Sequence, residues 1–578
     1  MSLLLVAAGC IVFLLAAYRI YGSLLARLFR LRPDAATPAT ELRDGVDYIP
    51  TDPRYLVGQH FSAIAAAGPI TGPILAGVMF GWLPALIWIL VGAALIGGVH
   101  DFAALVASVR HKARSIAEVV NEHMTRRSYI LFLAFVWLAI VYIVVAFTDI
   151  VASSFVGTQT LENGVQVTGG GVATSSMLYL ALPVIMALLM RYAKLSLKWA
   201  TAIFLPLIGV AIWAGQHIPL DLAGALGTSE AGATRLWDVL LLGYCFIASI
   251  VPMWILLQPR GHLGGYFLFA ALMGGLLGVV LGGRTVQYPA FIGWATAQGV
   301  PLFPMLFITI ACGACSGFHA LVASGTTSKQ LRKETDATPI AYGSMLLEGL
   351  VAVISLCCVM MLSQSAVAAQ GTLKPNLIYG MGMANFLTVL GIPAAFGISF
   401  GLLAFTTFVY DTLDVSTRLG RYILQELTGW KGRTGRWVTT AVTAGVPLLL
   451  MVTSGQKGPA WQVFWPLFGA SNQLLAALTL TAITVWAAKT YRARWVWAVT
   501  GLPTVWMYVM SAWALVRLIA AGLFTAEGQF KWALPDAPTA IAVVLVALAA
   551  LILVETGRVL WRMRGARGPL SAVELAEK

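Results

Sequence analysis

The stretch Ile64-Ala-Ala-Ala-Gly68-Pro69-Ile70-Thr71-Gly72-Pro73-Ile74-Leu75 decides how this chain is to be read. It lies inside an apolar run long enough to cross a bilayer, yet it carries two Gly-Pro pairs four residues apart. Each proline removes a backbone donor, and its ring clashes with the carbonyl one turn earlier. A single Gly-Pro reads as a packing kink; two in tandem predict that the helix unwinds. Non-helical backbone at membrane depth survives only where it is buried in protein or lines a cavity. The expected consequence is a mid-membrane site in which Gly68, Pro69, Thr71, Gly72 and Pro73 bind substrate.

The membrane itself follows from composition. Apolar residues make up 59% of the 578 and charged residues 11%, where a soluble domain carries about 25%. Mean hydropathy is +0.84. So few charges cannot cover a body of this size against water, and the excess apolar surface must face lipid. Runs of about 20 apolar residues fall at 2–26, 61–80, 83–109, 129–152, 176–192, 199–216, 237–257, 263–283, 303–323, 340–365, 384–407, 437–454, 464–487, 495–520 and 538–561. The predicted fold is therefore an all-α polytopic membrane protein with about fifteen transmembrane helices.

Loop charges test that layout. With the N-terminus outside, about 30 of the 37 Lys and Arg fall in cytoplasmic loops and about six on the other side, as the positive-inside bias requires. One missed span would invert every later loop. The same bias accounts for the net charge of +13 without any nucleic-acid partner. The first span lacks a basic leader and reads as a spanning helix rather than a cleaved signal. The six cysteines all sit in apolar runs, which excludes a loop disulfide framework.

Secondary transporters pair a broken helix with an inverted counterpart, substrate and ion binding between the two. Five spans on, the seventh carries Tyr244-Cys-Phe-Ile-Ala-Ser249-Ile-Val-Pro252, and an odd offset inverts topology. Ser249 and Pro252 are thus the expected second half of the site. The resulting division is 1–60, first helix and cytoplasmic loop; 61–407, transporter core with inverted repeats 61–216 and 237–407; 408–436, a cytoplasmic interfacial helix and loop; and 437–578, additional helices. The interfacial helix is expected at Thr412–Leu427, where Asp414 and Arg418 are four residues apart.

Ionisable residues at membrane depth are costly and mark ion or substrate pathways. Glu348 lies in the tenth span, Asp149 in the fourth, His100-Asp101 in the third and His319 in the ninth. A carboxyl in low dielectric can load and release a proton near neutral pH, so Glu348, Asp101, Asp149, His60 and His319 are candidates for ion or proton coupling. Cys312, Cys315 and His319 share one face if the ninth span is a continuous helix. They would then offer zinc three soft ligands, or a redox CxxC. Helix packing through the small residues between them is the simpler reading, since no second CxxC exists, and no cofactor is expected. Ser324, Thr326 and Thr327 follow as possible polar ligands. Arg260 reads as a topology-fixing charge at the cytoplasmic surface.

Several longer motifs carry a family resemblance. They are Tyr48-Ile-Pro-Thr-Asp-Pro53, the run Gly58 to Pro73, the run Phe307 to Thr327, Tyr342-Gly-Ser-Met-Leu-Leu-Glu348, Thr412 to Arg418, and Trp465-Pro-Leu-Phe-Gly-Ala-Ser-Asn-Gln-Leu-Leu-Ala476. In order, from about residue 42 to about residue 490, they resemble the carbon starvation protein A family. The resemblance implies a bacterial inner-membrane importer, N-terminus outside and C-terminus cytoplasmic, with a LeuT-like inverted-repeat core and extra helices. It implies a small-molecule substrate, short peptides in starvation or alternatively pyruvate, taken up with protons or another coupling ion. A membrane-embedded metal or redox protein is the rival from another class. The chain departs from the family pattern at Gln59-His60, His100-Asp101-Phe102 and Gly261-His262.

Overall fold

A computed structural model describes residues 1–44, 48–160, 166–369, 374–430, 432–454, 459–525, 528–532 and 534–565. Lys431 and most of the basic C-terminal tail, both counted in the charge argument, lie outside the described residues. Among the described residues, thirteen helices are long and apolar enough to cross a membrane. A fourteenth crossing is the second span, in which Pro53–Ile64 and Gly68–Phe80 meet at 50°. The ninth is interrupted more deeply. Leu302–Thr309 is helical, 310–317 is not, and Phe318–Val322 resumes the helix before a π-turn at Ala323–Thr327. With these two, the fifteen expected segments are all present.

Consecutive spans alternate in direction, as contacts at both faces show. On the face of the basic loops, Arg110 at the end of the third span donates to the Phe29 carbonyl (2.8 Å) and to Glu334 Oε1 (2.7 Å), which opens the tenth. Lys489 of the thirteenth span donates to the His123 carbonyl at 2.7 Å. On the opposite face, Leu3 N donates to the Arg284 carbonyl, Leu83 N to that of Ala290 and Gln287 N to that of Met360. Burial separates core from rim. In their most apolar windows the tenth, thirteenth, fourth and eleventh spans are 83%, 78%, 72% and 72% buried; the first is 22% buried, and the sixth, fourteenth and fifteenth are each 28%. The tenth and thirteenth pack directly on the two interrupted spans, and the second group faces lipid.

Four expectations are corrected. The second span begins at Pro53 rather than residue 61, because Asp52 accepts from Arg54 N at 3.0 Å and Pro53 takes the first helical position, a standard helix start. The seventh span, Glu230–Ile250, ends before Pro252. That proline follows a helix end, where it commonly occurs, and does not break a span near its middle. Instead the second interrupted span is the ninth, an offset of seven, which also inverts topology.

The fourth correction concerns 384–428. Pro375–Thr388 is a separate helix of 14 residues, about 21 Å long and too short to cross. Gly391 (φ 79°) and Pro393 end that element, and the eleventh span runs unbroken from Ala394 to Thr428. The expected interfacial helix is nearly its final half. That helix end is charged, yet Asp411, Asp414 and Arg418 are at most 8% exposed. The charges point into the protein and are paired there, so the helix continues inward of the surface.

Candidate functional site

The two interrupted spans cross backbone to backbone, and their glycines are what permits it. A Cβ on Gly68 would lie 2.3 Å from Cys312 Sγ, and one on Gly72 would lie 2.5 Å from the Thr309 carbonyl oxygen. From the other side, a Cβ on Gly313 would lie 3.5 Å from Pro69 Cα and 2.7 Å from Ala352 Cβ. Gly68, Pro69, Thr71, Gly72 and Pro73 are all fully buried at this crossing. The Thr71 hydroxyl, 0% exposed, has no hydrogen-bond partner among the described residues. Pro73 stays within the helix Gly68–Phe80, so the unwinding is confined to the residues just before Gly68.

An unwound segment inside the membrane must find partners for its backbone groups, and the thirteenth span, Ala460–Tyr491, supplies several at the segment's two ends. Asn472 Oδ1 accepts from Phe318 N (3.1 Å) and from the Ser316 hydroxyl (3.3 Å), while the Asn472 carbonyl accepts from Gly317 N (3.1 Å). Asn472 Nδ2 donates to Ser316 Oγ (3.0 Å) and Cys312 Sγ (3.4 Å). Gln473 Nε2 donates to the Phe307 carbonyl (2.7 Å), and Trp88 Nε1 to that of Ile310 (3.2 Å). Gly469 lets the span approach, since its Cβ would lie 2.0 Å from the Ile308 oxygen. The motif Phe468-Gly-Ala-Ser-Asn-Gln473 is thus a splint for the break. Its amides are the sequence signal that the motif reading left without a role.

Beside the splinted break runs a chain of ionisable groups, all 0% exposed. His100 Nδ1 lies 2.7 Å from Asp101 Oδ1, His319 Nδ1 lies 2.8 Å from Asp101 Oδ2, and His319 Nε2 lies 3.2 Å from Glu348 Oε2. Asp101 therefore accepts from two imidazoles, one on each oxygen. The last contact is within ion-pair distance but outside hydrogen-bond alignment, and neither Glu348 oxygen has a hydrogen-bond partner among the described residues. Both Nε2 and Oε2 are acceptors when bare. Without a proton the two lone pairs would face each other at 3.2 Å; with one proton on either atom the contact attracts.

Three predicted residues thus meet: Asp101, His319 and Glu348. His60 joins the ninth span from the other direction, its Nδ1 2.8 Å from Thr327 Oγ1, with Nε2 buried and unpartnered among the described residues. Ser324 and Thr326 are occupied locally, their hydroxyls donating to the carbonyls four residues back, and Ser324 Oγ also accepts from Ile116 N. Asp149 lies elsewhere, accepting from Trp461 N (2.7 Å) in the first turn of the thirteenth span, the place where a carboxylate stabilises a helix start. Cys312, Cys315 and His319 are not on one helical face, because 310–317 is not helical. Both His319 nitrogens already face carboxylates.

Ser249 is buried beside a different cluster, and Pro252 beyond it is exposed. Arg418 donates to the Ala248 and Val251 carbonyls, both at 2.6 Å. Arg260 is not at the surface: it is 0% exposed, donates through Nε to Asp411 Oδ1 (2.7 Å) and through Nη2 to the Tyr410 carbonyl (3.1 Å), and ion-pairs with Asp414. Asp411 also accepts from Ser62 (3.1 Å) on the first half of the second span, which ties this cluster to the crossing. Asp411 and Arg260 were legible as charges but not as partners, since 151 positions separate them.

The chain is similar to known proteins. The family model described as Carbon starvation protein CstA matches residues 1–374 and 364–514. A Mycobacterium tuberculosis protein named peptide transporter CstA is 33% identical, the alignment covering 87% of this chain and 73% of that one. The Escherichia coli pyruvate/proton symporter BtsT is 31% identical over 89% of this chain and 82% of its own length, and the Escherichia coli peptide transporter CstA is 31% identical over 88% and 79%. Among solved structures, the Eremococcus coleocola manganese transporter with a bis-isothiourea compound aligns with a TM-score of 0.48 at 14% identity, covering 90% of this chain and 99% of that chain.

Proposed function

The chain belongs to the carbon starvation protein CstA family, and from that premise we propose that it is a proton-coupled secondary importer of short peptides and not an enzyme. It would reside in the bacterial inner membrane with the N-terminus outside and the C-terminus cytoplasmic, as the loop charges support. The observation that carries the reading is the adjacency of two things on one segment. The unwound stretch 310–317, crossed by Gly68–Pro73, runs directly into His319, and His319 Nε2 faces Glu348 Oε2 at 3.2 Å, where one proton would bind.

The coupling follows from that adjacency. A substrate bound at the crossing contacts the unwound backbone and the first turn of Gly68–Phe80, where the positive end of the helix dipole favours an anionic group such as a peptide carboxylate. The unpartnered Thr71 hydroxyl supplies a further polar contact there. With the proton in place, His319 and Glu348 attract, and the ninth and tenth spans are held together beside the site. When the proton leaves, the facing lone pairs repel and the same spans separate. Loading and release of a proton thus bias the ninth span between two positions, and substrate at the crossing biases the same element. That is the condition for coupling two ligands through one conformational change.

A small carboxylate such as pyruvate is the second reading, favoured by the 31% identity to a relative named pyruvate/proton symporter. Uptake of labelled tripeptide and of labelled pyruvate into proteoliposomes under an imposed pH gradient tests both. Gradient-driven tripeptide accumulation that pyruvate does not inhibit supports the peptide reading. Accumulation of pyruvate alone replaces it with the second, and uptake indifferent to the gradient sinks proton coupling altogether.

A further inference from the structure

Away from the transport site, at the face of the basic loops, His111, Glu122 and His123 converge: their potential ligand atoms all lie within 4.8 Å of one another. The geometry points to a binding site for a divalent cation of the zinc type, held by His111 Nε2, His123 Nε2 and the Glu122 carboxylate. His111 follows the third span, while Glu122 and His123 end the short helix Ile116–His123.

Two observations show more than chance proximity. His111 Nδ1 lies 2.6 Å from the Ala107 carbonyl oxygen. A carbonyl only accepts, so Nδ1 carries the proton and Nε2 of the neutral ring is a bare lone pair. A backbone carbonyl that fixes the tautomer and aims the other nitrogen is the arrangement found behind metal-bound histidines. That lone pair points at His123 Nε2, 2.7 Å away, with the two rings edge to face at 86°. The site is also anchored: His111 packs against Trp486, and Lys489 of the same span donates to the His123 carbonyl.

The donor set selects the ion. Two imidazoles and one carboxylate suit zinc-like cations, which bind such sets in tetrahedral geometry with water in the fourth position. Half-buried His111 and His123 and exposed Glu122 leave that position open to solvent. Calcium and magnesium prefer oxygen cages, and the neighbouring Arg110, Lys112 and Arg114 oppose a cation held by charge alone. Metal–nitrogen bonds of about 2.0–2.1 Å at a tetrahedral angle put the two nitrogens about 3.3 Å apart. The rings must therefore part by about 0.6 Å, a rotamer-scale adjustment, with His123 moving its proton to Nδ1.

The test uses the full chain, purified in detergent and stripped with chelator. Equilibrium dialysis against zinc chloride should give one ion per chain, and cobalt substitution should give the visible absorption of a tetrahedral site. His111→Asn and His123→Asn should each weaken zinc binding at least tenfold, and Glu122→Gln, an exposed change that leaves packing intact, should weaken it less. Folded wild type that binds no zinc overturns the proposal. So does zinc held with unchanged affinity by both His123→Asn and Glu122→Gln, which would place the ion on other histidines. If His111→Asn fails to fold, the latter two variants decide.

Discussion

Replacing Glu348 by Gln should uncouple transport from the proton while leaving the substrate path intact. Gln is isosteric with protonated Glu, and its amide can donate to His319 Nε2 at the observed 3.2 Å separation. The variant is thus held in the proton-loaded arrangement. Two unit charges at that separation interact by about 5 kcal/mol at an effective dielectric of 20, ample to decide whether the ninth and tenth spans stay together. The thermodynamic consequence is directly measurable. One pH unit is worth about 1.36 kcal/mol per proton, so a one-proton importer at zero membrane potential accumulates substrate up to about tenfold per unit of imposed gradient. In proteoliposomes clamped with a potassium ionophore, wild type should approach that ratio, and Glu348→Gln should stop near unity while still exchanging labelled for unlabelled substrate. A Glu348→Gln protein that accumulates about tenfold would refute the assignment of the proton. A wild type that accumulates about a hundredfold per unit would refute the single-proton stoichiometry.

Three other substitutions probe the scaffold. Gly68→Ala should destabilise by about 1–3 kcal/mol through overpacking, read as a lowered melting temperature in detergent. Cys312→Ala should not rescue it, because the Cys312 Cβ alone would sit 2.4 Å from the new methyl, whereas Cys312→Gly should. Asn472→Ala removes the acceptor for Phe318 N and Ser316 and should cost about 1–3 kcal/mol for the buried groups it strands; unchanged melting and unchanged uptake would show that the splint is dispensable. Arg260→Met strands Asp411 and Asp414 and should cost about 3–5 kcal/mol. Adding Asp411→Asn and Asp414→Asn should recover most of that in the same melting assay, and no recovery would mean that the guanidinium matters for its contact with the Tyr410 carbonyl rather than for its charge.

Legibility followed the range of the interactions concerned. Fifteen crossings were readable because lipid imposes its requirement locally: each run of about 20 residues must be apolar by itself, and loop charge then fixes alternation. The break at Gly68 was readable for the same reason, since proline acts on its own turn. The break in the ninth span was not, because nothing between Thr309 and Phe318 forbids a helix. What unwinds it is the competition of Asn472 and Gln473, more than 150 positions away, for its backbone groups. The single-face reading of Cys312, Cys315 and His319 failed with it.

The charged segment 411–421 was misplaced by the same limitation. Alone it has the pattern of a helix on a membrane surface; beside Arg260 and Ser62 its carboxylates find partners and go inside. Sequence by itself determined that the chain lives in lipid, how often it crosses, and that its second span opens mid-membrane. Only the tertiary structure decided which span answers that opening and which buried charges face one another. The hydrophobic requirement acts residue by residue along the chain, whereas a buried charge or an unwound carbonyl is tolerable only through a partner that folding brings to it.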